Sequence, residues 1–167
     1  MTNTDTNADD HERYRTFLET VVSSGRLWGI WRGETWATAD DPSGRRSALF
    51  LLWPTRSSAE ESLKANRAAF PGEADVDAIE LGTWLEAYTD ELIQRSASPF
   101  VHPDLRLNGS IVDPEDLRKD LIAVQGGLRL QATDLNKLRK KIESQTRSQA
   151  PHAIAPSDRS RPREPGT

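Results

Sequence analysis

One six-residue stretch constrains the fold more than any other. Ala48–Trp53 (ALFLLW) is apolar at every position and is stopped by Pro54. A strand with no polar face must be covered on both sides, so it belongs in the interior of a sheet. Two short segments rich in β-formers precede it, Leu27–Arg32 (LWGIWR) and Thr35–Asp40 (TWATAD). Gly33-Glu34 between them suits a tight II′ hairpin, because Gly supplies the positive φ of the first turn position. Asp40-Asp41-Pro42-Ser43-Gly44 then reads as a turn, with Pro42 presetting φ and Gly44 left-handed. A meander of these three strands would leave Ala48–Trp53 at an edge. Its composition forbids that, so a further strand is expected on its other side.

The helical periodicities lie on either side of this region. Tyr14, Phe17, Leu18 and Val21 mark a helix over about 10–23, stopped by Ser23-Ser24-Gly25. Ser57 and Ser58, each with a Glu three residues on, predict a helix over about 58–68 with thin apolar content, expected to be peripheral. Leu81, Trp84, Leu85, Tyr88 and Leu92 form the strongest helical stripe, over about 81–95. Val76–Ile79 suits a short strand or an extended lead-in. Phe100-Val101, between Pro99 and Pro103, reads as an edge strand, and Gly109–Val112 as another. Asp113-Pro114-Glu115-Asp116 is a helix start, with Asp as N-cap and Pro at the first helical position. Gly126-Gly127 is expected to end that helix. A last helix over about 128–146 would carry Leu128, Leu135, Leu138 and Ile142 on a narrow seam.

These elements predict a single α+β domain over 9–125. Its sheet is expected to be mainly antiparallel and four- to five-stranded, with helices on one face. A basic helical extension over 126–147 follows. Residues 1–8 and the Pro-rich tail 148–167 hold too little apolar surface to offset the entropy of ordering, so both are expected to be disordered. Charge follows the same division. Residues 1–125 hold 13 basic and 22 acidic side chains, a net −9, whereas 126–150 hold 6 and 2, a net +4.

The available chemistry is limited. The absence of cysteine excludes disulfides, thiolate nucleophiles and Cys-ligated zinc. No apolar run is long enough to span a membrane, and the polar, acidic start is unlike a secretory signal, so a cytoplasmic location is expected. No P-loop, G-x-G-x-x-G or G-x-S-x-G motif is present. Of His11, His102 and His152, only His102 lies near predicted structure, and a lone His without converging partners is more often packed or solvated than catalytic. No catalytic residue, metal site or cofactor is assigned. Asp40-Asp41 with Glu34 would suit a hard cation, but Asp side chains capping turn amides explain the first two more simply.

Five tryptophans are the unusual feature, four of them within 28–53. Strand alternation sends Trp28 and Ile30 to one face and Leu27 and Trp31 to the other. Trp28, Trp36 and Trp84 are expected in the core. Burial of all five is the simpler reading, since a domain this small needs such anchors; the alternative places Trp31 and Trp53 at the sheet margin, where an aromatic with a polar N–H is a frequent interface anchor.

The motif order carries a resemblance. Glu12-Arg13-Tyr14 with Phe17, Leu27-Trp28-Gly29-Ile30, Thr35-Trp36-Ala37, an Asp-rich turn, Leu52-Trp53-Pro54, Ile79-Glu80-Leu81 ahead of Trp84-Leu85, and Gly109-Ser110-Ile111-Val112 ahead of Pro114-Glu115-Asp116-Leu117 occur in sequence. Over about residues 12–122 this resembles the bacterial family known as domain of unknown function 2750. It departs from that pattern in the Pro-interrupted strand pair around Phe100–Val112 and in the extension 126–167. The resemblance implies a fold and no activity.

The functional expectation is a non-catalytic protein-binding module, inhibitor- or immunity-like, that presents an acidic surface with Trp31, Trp53, Glu34, Asp40 and Asp41 as contact residues. One alternative is a small-molecule or nucleotide-binding regulatory domain, with the ligand against Trp31 and Trp53. Another is an oligomeric scaffold built through 128–146. On the extension, Arg129, Lys137, Arg139, Lys140 and Lys141 form either a solvated face, with the leucine seam docked on the body or a second copy, or an arm for nucleic acid or an acidic partner. Nucleic acid is not expected on the acidic body.

Overall fold

The computed structural model describes the backbone of residues 3–148 and, within it, the side chains of 8–128, 136–137 and 139–144. The chain divides into two units, residues 1–127 and 128–167. The first unit opens with α1 (Asn3–Ser24), so residues 3–8, expected outside the packed domain, form its first turns. β1 (Arg26–Arg32), β2 (Thr35–Trp36), β3 (Thr38–Ala39) and β4 (Leu49–Leu52) follow. After α2 (Arg56–Ala65) comes β5 (Asp75–Glu80). α3 (Leu81–Thr83), a π-turn at Trp84–Tyr88 and α4 (Thr89–Gln94) run on directly from it. β6 (Ser98–Val101), β7 (Ser110–Ile111) and α5 (Pro114–Ser148) complete the order.

The α+β class holds, and the described residues form seven short strands in two sheets, β2-β1-β5 and β3-β4-β6-β7. All pairings are antiparallel except β4 with β6. The interior position of β4 is confirmed: β6 is the strand on its far side. Phe100-Val101 is consequently no edge strand. It lies between β4 and β7, and all four residues of β6 are buried. Pro99 is tolerated there because parallel ladders alternate. Ser98 N–H donates to Ala48 O and His102 N–H to Leu52 O, so Pro99, one residue out of phase, turns its missing donor away from β4.

The two sheets are joined at a fork. β1 pairs with β2 at Trp31↔Trp36 and Arg32↔Thr35, while β3, one residue beyond, pairs with β4 at Thr38↔Phe50 and Ala39↔Leu49. At the other end of β1, Trp28 and Trp53 exchange backbone hydrogen bonds of 2.9 and 2.8 Å. Between these pairings the strands diverge, and the Trp36 indole fills the gap, donating its Nε1–H to Leu51 O at 3.2 Å. A side chain thus takes over a ladder hydrogen bond where the backbones no longer meet.

Strand alternation separates two apolar clusters. Leu27 packs with Phe17, Val21, Leu52, Ile79, Trp84, Leu92, Leu117 and Leu121 beneath α1, α3, α4 and α5. Ile30 packs with Leu49, Leu51, Trp53, Phe70 and the α2 residues Ala59 and Leu63. The helix expected to be peripheral therefore covers the second sheet face. It is capped by Thr55, whose Oγ1 accepts from Ser58 N–H at 3.1 Å, and not by Ser57 or Ser58.

Two further local corrections concern helix geometry. The stripe from Leu81 to Leu92 contains a π-turn, in which the Trp84 carbonyl accepts both the Thr89 N–H and the Thr89 Oγ1–H, the latter at 2.9 Å. Thr89 is fully buried at this wider turn, and Tyr88 is half-buried. Gly126-Gly127 does not end α5, which continues through both residues. Glycine in a helix costs about 1 kcal/mol relative to alanine but removes no hydrogen bond, so alone it does not stop one. The Asp113 start is confirmed, with its carboxylate accepting from Glu115 and Asp116 N–H. The expected tail 148–167 lies outside the described residues beyond Ser148, as do the side chains of Leu135 and Leu138.

Candidate functional site

The strongest concentration of recognition chemistry lies at the mouth of the fork. The turn after β1 has Gly33 at φ 60°, with Glu34 outside the left-handed region, as a II′ hairpin requires. It sets Trp31 directly across from Trp36, and the two indoles stack with centroids 5.2 Å apart at 23°. Phe50 and Tyr88 meet the Trp36 ring edge-on at 4.9 and 5.6 Å. Tyr88 also stacks parallel to Trp84 at 6.1 Å, the placement its π-turn produces. Trp36 is 6% exposed, whereas Trp31, Phe50 and Tyr88 are half-buried. Together these four rings wall a groove of about 520 Å³. Glu34, Glu91 and Arg95 also line it, with Arg95 paired to Glu91 at 2.6 Å.

Gly29 makes this stack possible. It lies on the same strand face as Leu27 and Trp31, and a Cβ placed on it would stand 2.8 Å from Trp36 Nε1 and 3.3 Å from Trp31 Nε1. The missing side chain is the space that the two indole edges occupy.

The residues singled out from sequence separate in the structure. Trp31 and Glu34 come together in the groove. Trp53 does not reach the surface. It is 1% exposed, bridged to Trp28 and packed under α2, because the second sheet face is covered; Trp28 is the half-buried member of that pair instead. Asp40 is exposed and outside the groove. Asp41 is spent on its own turn. Its carboxylate accepts from Ser43 Oγ–H, Ser43 N–H and Arg46 N–H, and Gly44 N–H closes the turn on Asp41 O at 2.9 Å. The side chain is 1% exposed, enclosed by this local loop and not by the core. On the extension, Lys137, Arg139, Lys140 and Lys141 are exposed, and the Arg129 side chain lies outside the described residues. Sequence reading missed Phe50, Tyr88, Glu91 and Arg95. The Trp31–Trp36 pairing was legible, since a two-residue turn at Gly33-Glu34 puts these positions opposite one another.

The Asp41 turn yields a pH prediction. Hydrogen bonds from Ser43, and then from Arg46, lower the Asp41 pKa to about 2. Their contribution is complete above the ordinary carboxylate range and is lost as pH falls through about 2. The Ser43 and Arg46 amide resonances should therefore titrate with a midpoint near 2, and Asp41→Asn should abolish that titration. A midpoint near 4 would show that the carboxylate is solvated.

Two other clefts are less specific. One of about 800 Å³ lies between α2 and the β1–β5 pair, and Trp31 is its single aromatic. Its Arg56, Lys64 and Arg67 are offset by Glu60, Asp75 and Asp77, which gives no net preference for either charge. The other, of about 550 Å³, adjoins His102 at α1. There the Arg13 guanidinium donates to His102 O at 2.6 Å, and the His102 Nδ1–H donates to Arg13 O at 3.3 Å. Burial pushes the imidazole pKa down. This reciprocal contact ties α1 to the loop after β6, where His102 itself is left-handed at φ 47°. Among the described residues, no group of three or more His, Asp or Glu side chains is placed to hold a metal ion, and no helix is long and apolar enough to cross a membrane.

Fold and groove together define a small α+β protein with an aromatic cluster at a sheet fork, open on one side. The chain belongs to the family described as protein of unknown function (DUF2750), which it matches over residues 14–121. The match spans every wall of the groove and ends within α5. No curated protein and no solved structure matches the chain.

Proposed function

We propose that this protein is a non-catalytic binding module that recognises another protein through the groove of Trp31, Trp36, Phe50 and Tyr88. The observation that carries this reading is the open stack: Trp31 rests one side on buried Trp36 yet remains half-exposed beside a 520 Å³ groove. A rigid, pre-stacked indole loses little side-chain freedom on binding and offers a large apolar face, the properties of an interface hot spot. The net −9 on residues 1–125 supports a basic partner, because charge of this size speeds encounter with the opposite sign.

An immobilised peptide library probed with the full chain and with Trp31→Ala tests this. A sequence-selective set of peptides should bind the wild-type chain and bind the variant at least tenfold more weakly. Retention of the same peptides by Trp31→Ala at unchanged strength would overturn the assignment of the groove.

A further inference from the structure

We infer that the groove takes a cationic side chain, the alkylammonium of a lysine or the guanidinium of an arginine presented by the partner. This deepens the reading above and rests on it. The faces of indole and phenol rings carry negative electrostatic potential and attract a cation placed over them. Trp31 and Tyr88 line the groove as half-buried rings, each stacked by one face on a buried neighbour, Trp36 and Trp84 respectively. Glu34 lines it from the hairpin turn, is exposed, and has no ion-pair partner among the described residues. The groove's second carboxylate, Glu91, already holds Arg95 at 2.6 Å. One formal negative charge beside an aromatic stack is thus left uncompensated.

The alternatives fit this charge pattern less well. An anionic group would meet the ring faces and Glu34 with the wrong sign. A neutral aliphatic chain would cover the rings but leave Glu34 without a partner at the edge of a newly dried surface. A lysine or arginine satisfies both walls, since its methylene stem packs on the rings while its head meets the carboxylate. The groove volume of about 520 Å³ leaves room for the side chain and part of its backbone.

The test uses the ¹⁵N-labelled full chain and its five indole N–H resonances, with Trp31 assigned through Trp31→Phe. The probes are the N-acetyl methylamides of lysine, trimethyllysine, arginine and norleucine, the last a neutral aliphatic control. The cationic probes should shift the Trp31 resonance at millimolar concentration and bind about threefold or more tightly than norleucine. Glu34→Gln should weaken the cations by a similar factor and leave norleucine unchanged, with the other indole resonances reporting an intact fold. Equal binding of norleucine, or no effect of Glu34→Gln, would overturn the cation assignment while leaving the groove as a recognition face. Absence of any Trp31 shift with all four probes would also overturn it, and the peptide library then judges the groove independently.

Discussion

Trp53→Ala should destabilise the protein by about 3–5 kcal/mol, the range for removing a fully buried aromatic from a core. Trp31→Ala should cost well under half of that. The two residues look alike in sequence, each a tryptophan in a short β-rich segment, but their surroundings differ. Trp53 is 1% exposed, follows β4 directly, exchanges backbone hydrogen bonds with Trp28, and sits among Ile30, Leu51, Ala59 and Phe70. Its loss leaves a cavity among side chains of the strands and α2, which relax only partially into it. Trp31 is half-buried and loses chiefly its ring pair with Trp36, worth about 0.5–1.5 kcal/mol beyond area burial. Urea denaturation followed by far-ultraviolet circular dichroism separates them. Trp53→Phe is the control, and its cost should lie below that of Trp53→Ala. It keeps most of the ring volume and removes an indole N–H that is buried without an acceptor. Equal losses for Trp31→Ala and Trp53→Ala would show that Trp31 is a core residue and would remove the basis for reading it as an anchor.

Gly29→Ala is the second large effect, expected at about 1–3 kcal/mol for overpacking. One methyl group is added, and it would stand 2.8 Å from Trp36 Nε1 and 3.2 Å from Trp36 Cε2. The indole cannot retreat without stretching its hydrogen bond to Leu51 O, a buried acceptor at the divergence of the sheets. The penalty should therefore depend on Trp36. In a Trp36→Phe background, the smaller ring has no Nε1 at that position, and Gly29→Ala should cost at least 0.5 kcal/mol less, the coupling usual for residues in contact. Trp36→Phe alone should itself cost about 1–3 kcal/mol, because it leaves the Leu51 carbonyl unpaired. A double-mutant cycle by denaturant titration reads all three. Strict additivity would mean that strand β1 shifts as a whole to admit the methyl group and that the indole is not locked.

The groove was half legible in the sequence. Trp31 and Glu34 were legible because a hairpin is local: the turn at Gly33-Glu34 fixes which residues face one another across it. Phe50, Tyr88, Glu91 and Arg95 were not, since they reach the groove through the β3–β4 pairing and the π-turn, and neither leaves a periodic trace. By sequence Asp41 suits both a contact residue and a turn cap. Only the hydrogen bonds of its loop favour the second role. Gly126-Gly127 shows the limit of a punctuation signal, because glycine permits a helix to stop without requiring it.

The sequence by itself determined the α+β class, the interior position of Ala48–Trp53, the two-faced alternation of Leu27–Arg32 and the Asp113 helix start. Each of these follows from local sterics or from the demand that an apolar side chain be covered. The tertiary structure alone decided which element covers which face. α2 carries few apolar residues, yet its Ala59 and Leu63, with Phe70 and Ala74, pack on the face that buries Trp53. The burial of a side chain depends on atoms distant in sequence, and whether a tryptophan anchors a core or waits at a surface is settled by what packs above it.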